Sequence, residues 1–341
     1  MSFTVTVSPS GHTFEVEAGE PILDAAIRQG VVLPYGCRGG RCGACVAPLV
    51  SGEVSYPGDI LPLALDGEAE GRCAPCEALA ESDLTIEVKE FESAAEIEVK
   101  TLPCRVQEID HLAPDVVRLK LKLPDNQRLL FMAGQYLDFI LADGRHRAFS
   151  IANAPHDDEF IELHIRHVDG GVFTDWVFEQ MKAKTILRIE APHGTFVLDE
   201  ESDRPMIFMG GGTGFAPLKG QIEHAFELGI DRPMTLYWGV RSKRDLYLAD
   251  LPEQWARDHA NFTFVPVLSE PDADWQGRTG WVHEAVTADI KDLPAHDIYM
   301  AGPPVMVQAG REAFRTAGVP ETQMHFDSFE YAADKKDKSD D

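Results

Sequence analysis

Basic residues are scarce in this chain of 341 residues, which carries 31 lysines and arginines against 57 aspartates and glutamates. The formal net charge of −26 at pH 7 disfavours partners that are themselves polyanions, namely nucleic acid and anionic membrane surfaces. No apolar run approaches the roughly 18 residues that a membrane-spanning helix requires, so no span is expected. The first residues lack a basic stretch followed by an apolar core, which argues against a signal peptide.

Cysteine is also rare, with six residues in the chain, but three of them fall close together at Cys37, Cys42 and Cys45. Their C-x4-C-x2-C spacing within a glycine-rich loop is typical of plant-type 2Fe–2S ligands, because several thiolates must reach two irons from one short loop. Cys73 and Cys76 compete for the fourth ligand position. A zinc site and a disulfide pair are the alternatives, although zinc prefers two C-x2-C pairs or histidine partners. Cysteines that serve as ligands suit a reducing cytoplasm.

The stretch after Cys76 leads through Asp83 into a strand-like segment over residues 84–89. It resembles the end of the ferredoxin domain in bacterial electron-transfer reductases, where a cysteine stands seven residues before such an aspartate. The resemblance implies that Cys76 is the fourth ligand and that residues 1–92 form a β-grasp 2Fe–2S ferredoxin domain. Alternating residues predict a hairpin over 2–7 and 13–17, and a helix over 22–29.

Beyond the linker-like residues 92–102, the pattern changes to a series of strands with alternating apolar and polar residues, which predicts a small antiparallel barrel. We place this domain over residues 100–200. The predicted strands cover residues 104–109, 116–123, 131–141, 147–151 and 160–168.

Within that series, Arg147-Ala-Phe149-Ser150 resembles the R-x-[YF]-S motif of the ferredoxin–NAD(P)⁺ reductase superfamily. Taken alone, the motif also describes an ordinary strand. The resemblance implies that Arg147 pairs with the flavin diphosphate, that Phe149 stacks on the isoalloxazine and that the catalytic Ser150 faces flavin N5. His164 and Arg166 follow on a later strand as candidate flavin contacts, with a locally bonded histidine as the alternative for His164.

Gly171, Phe173 and Thr174 follow in a Gly-Gly turn that opens a helix, which we predict to be capped by Thr174 and to run to about Lys182. A helix N-terminus offers free N–H groups to phosphate. The superfamily binds the flavin diphosphate at this position. The resemblance therefore implies that residues 100–200 form a six-stranded FAD-binding barrel with the diphosphate at this turn. FAD is favoured over FMN because relatives with an N-terminal ferredoxin domain resemble the FAD users.

The third segment, residues 203–331, alternates buried strands with helical stretches, which predicts a doubly wound parallel sheet. Its first strand enters a glycine-rich turn that resembles the superfamily's G-G-G-T-G-[FIL]-A-P element. The resemblance implies that this turn admits the nicotinamide dinucleotide, with Thr213 near the nicotinamide as a second catalytic residue. The residues concerned are Gly211, Gly212, Thr213 and Gly214.

Five further residues are assigned by resemblance. Gly302, Pro303 and Met306 match the superfamily's C-G-P-P-x-M element, with Ala301 in place of the cysteine. Arg241 follows a strand where the adenosine ribose is expected, and the residues after it resemble NADH-linked relatives, so NADH is favoured over NADPH. Phe329 is expected to cover the flavin face opposite Phe149.

In order and over nearly the whole chain, these segments resemble the iron–sulfur flavoprotein reductases. The implied function is transfer of a hydride from NAD(P)H onto FAD, followed by single-electron transfer through the cluster to a protein that docks at residues 36–45. The oxygenase component of a mono- or dioxygenase is the favoured acceptor. A CDP-6-deoxy-glucoseen dehydrase, and a stand-alone flavin or ferric reductase activity, are the alternatives. A cytoplasmic location and a disordered tail over residues 333–341 are expected.

Overall fold

The computed structural model describes residues 2–67, 69–91 and 97–330. It divides the chain into two compact units, Met1–Glu98 with His193–Phe196, and Val99–Pro192 with Val197–Asp341. The predicted domain end at residue 92 and the predicted tail over 333–341 lie outside the described residues. The predicted boundary between residues 200 and 203 falls inside the second unit and stays a prediction.

The first unit is a β-grasp fold, as predicted. Its five-stranded sheet has the order β2-β1-β7-β3-β5, in which β1 pairs antiparallel with β2 and parallel with β7. Strands β1 and β7 alternate buried residues with residues that are mostly half-buried, because one face covers the core. The elements are β1 Ser2–Ser8, β2 Thr13–Glu17, α1 Ile22–Arg28, β3 Ala47–Ser51, β4 Val54–Ser55, β5 Arg72–Cys73, β6 Leu79–Ala80 and β7 Leu84–Glu87.

The second unit begins with a six-stranded sheet of order β11-β10-β13-β8-β9-β12. The pairs β8–β9, β8–β13, β9–β12 and β10–β11 run antiparallel, and a bridge between Ile151 and Leu163 links the two edge strands. The elements are β8 Lys100–Ala113, β9 Val116–Lys122, β10 Tyr136–Ile140, β11 His146–Ser150, β12 Ile161–Arg166, α2 Val172–Glu179 and β13 Ile186–His193.

The strand predicted over residues 131–141 is shorter than expected, since it occupies Tyr136–Ile140. The preceding residues turn, with Gly134 at a φ of +99° and with Gln135 N donating to Met132 O at 3.1 Å. A left-handed glycine cannot continue a strand, which explains the late start.

The second sheet of this unit is parallel throughout, with the order β17-β16-β15-β14-β18-β19, as predicted. Every residue of the central strand β14 is buried, as expected for a parallel sheet with helices on its faces. The elements are β14 Met206–Gly211, α3 Phe215–Glu227, β15 Met234–Val240, α4 Asp250–Asp258, β16 Phe262–Leu268, β17 Arg278–Thr279, α5 Val282–Asp289, β18 Asp297–Gly302, α6 Pro304–Thr316 and β19 Met324–Ser328.

The chain order places a crevice beside β14. Its neighbour on one side is the next strand β15, and its neighbour on the other is the much later strand β18. In doubly wound sheets, ligands bind at the carboxyl ends of strands where the order reverses in this way. Among the described residues, no helix is long and apolar enough to cross a membrane.

Candidate functional site

The loop between α1 and β3 carries three of the four predicted cluster ligands. It bends through left-handed conformations at Gly40 and Gly43, with φ of +65° and +81°. A Cβ on Gly40 would lie 2.4 Å from Glu77 Oε2. Glycine at this position therefore allows the loop to approach the segment that contains Cys76.

The four predicted ligands form two pairs of thiols. Cys45 Sγ lies 3.3 Å from Cys76 Sγ. In the other pair, Cys42 N donates to Cys37 Sγ and Cys37 N donates to Cys42 Sγ, each over 3.4 Å. Two further N–H groups of the loop donate to these two sulfurs at 3.5 Å.

Hydrogen bonds within the pairs shift the pKa values of the thiols in opposite directions. The bond from the Cys42 thiol lowers the pKa of Cys37 to about 6, and the bond from the Cys45 thiol lowers the pKa of Cys76. The same bonds, together with burial, raise the pKa values of Cys42 and Cys45. Two close pairs of thiols, one of which accepts N–H donors of the loop, fit a 2Fe–2S cluster, whose irons would replace the thiol protons.

Cys73 lies apart from these pairs. It is fully buried in β5, opposite Ala47 of β3, and burial raises the pKa of its thiol to about 12. If Cys76 is the fourth ligand, Cys73 should take no part in the thiol pairs, and its place in β5 agrees with that expectation. The ligand role itself stays a prediction.

Strand β11 presents the three residues of the predicted flavin motif. The Phe149 ring is half-buried, with its centroid 5.7 Å from that of Phe139 and 5.6 Å from that of Phe173. Arg147 Nη1 donates to the carbonyl of His146 at 2.9 Å. The predicted residues Phe149 and Phe173 therefore share one aromatic cluster.

The third residue of that motif, Ser150, donates from Oγ to Asp327 Oδ2 over 2.9 Å. Asp327 lies in β19, in register with Ala301 of β18. No sequence pattern predicted a role for this carboxylate, although Phe329 in the same segment was assigned by resemblance. The available indication was that Asp327 is the one acidic residue of its strand.

Arg166 ends β12 beside the glycine-rich turn, where a Cβ on Gly212 would lie 3.0 Å from Arg166 Nη1. Its Nε lies 3.5 Å from Asp115 Oδ2. Within the described residues, the buried atoms Nε and Nη2 have no hydrogen-bond partner. A buried guanidinium donor that makes no hydrogen bond, such as Nη2, fits an anionic group such as the diphosphate of FAD.

The predicted cap of the next helix is wrong. Helix α2 begins after Gly171, which is its N-cap, and it ends at Glu179 rather than near Lys182. Thr174 lies inside the first turn, where its hydroxyl accepts from Val168 N and has two acceptors for its single hydrogen, Gly171 O at 3.0 Å and Val168 O at 3.2 Å. The hydroxyl thus closes the turn before the helix, because a side chain inside the first turn can bond backwards along the chain.

His164 is fully buried in β12, and both of its ring nitrogens are bonded within the chain. Nε2 lies 2.9 Å from Glu162 Oε1, and Nδ1 lies 3.1 Å from the Tyr247 hydroxyl. These two bonds satisfy both ring nitrogens of His164 without a ligand. The contact between His164 and the cofactor therefore stays a prediction.

Glu162 joins His164 to a buried lysine of helix α3. Lys219 Nζ lies 3.4 Å from Glu162 Oε1 and 2.9 Å from Glu223 Oε2. Burial opposes ionisation of Glu162, but the hydrogen bond from His164 and the charge of Lys219 outweigh it and lower the pKa of Glu162 to about 2. This network ties the first sheet of the second unit to α3.

The turn between β14 and α3 contains four predicted nucleotide contacts, Gly211, Gly212, Thr213 and Gly214. A Cβ on Gly214 would lie 1.9 Å from Ala301 O, so only glycine fits there. A Cβ on Gly211 would lie 2.4 Å from Met306 Sδ. The turn therefore meets the second predicted nucleotide element at the crevice between β14 and β18.

That second element, Gly302-Pro303, ends β18 and leads into α6. Gly302 O accepts a hydrogen bond from Phe329 N at 2.9 Å, which brings the predicted aromatic residue to the same place. Arg241 follows β15 and is exposed, and its carbonyl accepts from Glu270 N at 2.8 Å.

Family profiles match three successive parts of the chain. They describe a 2Fe–2S iron–sulfur cluster binding domain over residues 5–81, an oxidoreductase FAD-binding domain over 103–198 and an oxidoreductase NAD-binding domain over 208–312. The cofactor predictions of a 2Fe–2S cluster, FAD and NAD are thereby confirmed.

Similar proteins match over nearly their full length. A CDP-6-deoxy-L-threo-D-glycero-4-hexulose-3-dehydrase reductase from Yersinia pestis is 38% identical over 96% of this chain and 99% of that protein. The phenol hydroxylase P5 protein of Acinetobacter pittii is 36% identical over 98% of this chain and 96% of that protein. The crystal structure of the Amycolatopsis cytochrome P450 reductase GcoB superposes with a TM-score of 0.78 at 33% identity. The match covers 97% of this chain and 100% of that chain.

These matches agree with the thiol pairs, the flavin motif and the nucleotide turn described above. The chain belongs to the iron–sulfur flavoprotein reductases, NAD(P)H-dependent oxidoreductases that join a 2Fe–2S ferredoxin domain to FAD- and NAD-binding domains and act in electron transfer.

Proposed function

We propose that this reductase delivers single electrons to the oxygenase component of a multicomponent mono- or dioxygenase. The observation that carries the proposal is the exposure of the cluster loop. Arg38, Gly39 and Arg41 are exposed, and the predicted ligands Cys37 and Cys42 are only partly buried, so a protein can approach the cluster there. Similarity to a phenol hydroxylase component supports this class of acceptor.

Four residues are proposed to hold and orient the flavin. When bound, FAD takes a hydride from NADH, and the 2Fe–2S cluster passes electrons on singly. Arg147 and Arg166 would bind the diphosphate, because guanidinium groups match phosphate oxygens with paired donors. Phe149 would pack on the isoalloxazine, and Ser150 would present its hydroxyl in the orientation that the bond to Asp327 fixes. The turn formed by Gly171, Phe173 and Thr174 would line the diphosphate site.

The nucleotide site is proposed at the crevice between β14 and β18. Gly211, Gly212 and Gly214 leave room for the dinucleotide backbone, and Thr213 would position the nicotinamide. Gly302, Pro303, Met306 and Phe329 would form the opposite wall of that pocket. Arg241, beyond β15, would face the adenosine ribose, where we propose a preference for NADH over NADPH.

A deoxysugar dehydrase is the second candidate acceptor. The Yersinia pestis relative at 38% identity favours it. The lead-in Pro34-Tyr35-Gly36-Cys37, which resembles that of CDP-6-deoxy-glucoseen reductases, favours it as well. Either acceptor is compatible with a reducing compartment for the six cysteines, and we propose the cytoplasm.

Reconstitution with purified acceptors tests the proposal. The holoprotein is mixed with NADH and, in parallel reactions, with oxygenase components and with the sugar dehydrase encoded by the same genome. We expect product from an oxygenase component, and its loss in Cys42→Ser. Product with the dehydrase alone would favour the second candidate. Free-flavin or ferric reduction that survives in Cys42→Ser, without product from either protein, would favour a stand-alone reductase.

A further inference from the structure

Three large apolar side chains lie exposed within four residues of the first unit. Ile60 is 73% exposed, Leu61 46% and Leu63 67%. Isolated exposed apolar residues are ordinary, but a contiguous group is typical of an interaction site. We name residues Ile60, Leu61 and Leu63 the apolar patch.

The apolar patch adjoins the cluster loop through direct contacts. Ala64 N donates to Gly40 O at 2.9 Å, and a Cβ on Gly40 would lie 3.1 Å from Pro62 Cβ. The buried side chain of Leu65 anchors the segment in the core. The segment is thus fixed beside the predicted cluster ligands, while the side chains of the apolar patch remain exposed to solvent.

Acidic residues surround the apolar patch. The exposed Asp59 and Asp66 flank it in sequence, and Glu77 lies next to Gly40. From residue 53 to residue 83 the chain has eight acidic residues and one basic residue. Of the two arginines in the cluster loop, Arg38 is paired with Asp24 at 2.9 Å. The apolar patch therefore has a predominantly negative rim.

We propose that the apolar patch is the docking centre for the protein electron acceptor, whose complementary surface is an apolar hollow ringed by lysine and arginine. The inference rests on the proposed function, because it assumes that electrons leave the cluster toward a protein. An apolar centre with a charged rim suits such a complex, since the rim steers association and the desolvated centre supplies affinity.

The test uses cytochrome c, a basic haem protein, as the acceptor for the holoprotein with NADH. The variant Ile60→Ser/Leu63→Ser removes the apolar patch at two exposed positions. Val50→Ser is the matched control, because Val50 is 58% exposed in the same unit but lies outside the apolar patch. Ferricyanide, a small anion, serves as an acceptor that needs no apolar docking surface.

We expect the double variant to raise KM for cytochrome c about tenfold or more, as loss of a hot spot does, with the ferricyanide rate and cluster absorption unchanged. Val50→Ser should keep the wild-type KM. An unchanged KM in the double variant would overturn the docking centre while leaving electron transfer intact. A dimer that dissociates in the double variant with KM unchanged would overturn it also, by assigning the patch to self-association. Wild-type protein that reduces ferricyanide but not cytochrome c would refute the docking centre for a basic protein, whereas the proposed function fails only if reconstitution with the oxygenase component gives no product.

Discussion

Replacing Asp327 by Asn changes one hydrogen bond that joins the two sheets of the second unit. Ser150 Oγ donates to Asp327 Oδ2 at 2.9 Å, and asparagine keeps the size and one acceptor oxygen while removing the charge. Hydrogen bonds to charged groups are worth roughly 1.5–3 kcal/mol and neutral ones roughly 1 kcal/mol. The exchange should weaken the bond by about 0.5–2 kcal/mol, which corresponds to a rate loss of about 2- to 30-fold if the orientation of Ser150 is needed for flavin reduction.

The assay is single-turnover flavin reduction by NADH in a stopped-flow instrument, with wild type, Asp327→Asn, Ser150→Ala and the double variant. Because the two side chains act through one bond, the double variant should be no slower than the slower single variant. The double-mutant cycle should then give a coupling energy of about 0.5 kcal/mol or more. NADH affinity and cluster absorption are the controls and should not change.

Two results would contradict a coupling between Ser150 and Asp327. One is a double variant whose loss equals the product of the two single losses, because Ser150 and Asp327 would then act independently. The other is Asp327→Asn with the wild-type rate, because the carboxylate would then have no part in orienting the hydroxyl.

Three further predictions concern the cluster, the nucleotide turn and acid stability. Cys76→Ser should lose the visible absorption of the cluster while Cys73→Ser keeps it, and the reverse pattern would assign the fourth ligand to Cys73. Gly214→Ala should weaken NADH binding about 100-fold or more, because the added Cβ would overlap Ala301 O. Flavin and cluster absorption should be retained. A wild-type dissociation constant for NADH, measured by titration, would contradict the close approach of Gly214 to Ala301. The pKa of Glu162 falls from 4.5 to about 2 on folding, so the stability it contributes, roughly 3 kcal/mol, is present above pH 4.5 and is lost as pH falls toward 2. Urea unfolding of Glu162→Gln should depend less on pH in that window than wild type, and equal pH dependence would contradict the shift.

The local patterns of the sequence were enough to predict the three kinds of fold. Alternation in β1 and β2 predicted the hairpin, and the run from Met206 into the glycine turn predicted the strand and helix around it. The errors lie where single residues decide the geometry. Gly134 delays the strand predicted from Phe131, and Thr174 bonds backwards within α2 rather than capping it.

The site was predictable where its residues are close in sequence, and hidden where distant segments meet. The spacing of Cys37, Cys42 and Cys45 indicated the cluster loop directly. The bond from Ser150 to Asp327 spans 177 residues, and no local pattern encodes that distance. The burial of Lys219 was likewise not predicted. Its partner Glu162 lies on a strand of the antiparallel sheet, far away in sequence, and a lysine in a helix ordinarily indicates an exposed position.

The proposed function requires that electrons from NADH reach a 2Fe–2S cluster held by this same chain. The direct test is electron paramagnetic resonance of the anaerobic holoprotein after addition of NADH alone. We predict the signal of a reduced 2Fe–2S cluster, present in wild type and absent in Cys42→Ser. A flavin that bleaches with NADH while the cluster gives no signal, even though dithionite produces one, would show that electrons do not pass from the flavin to the cluster.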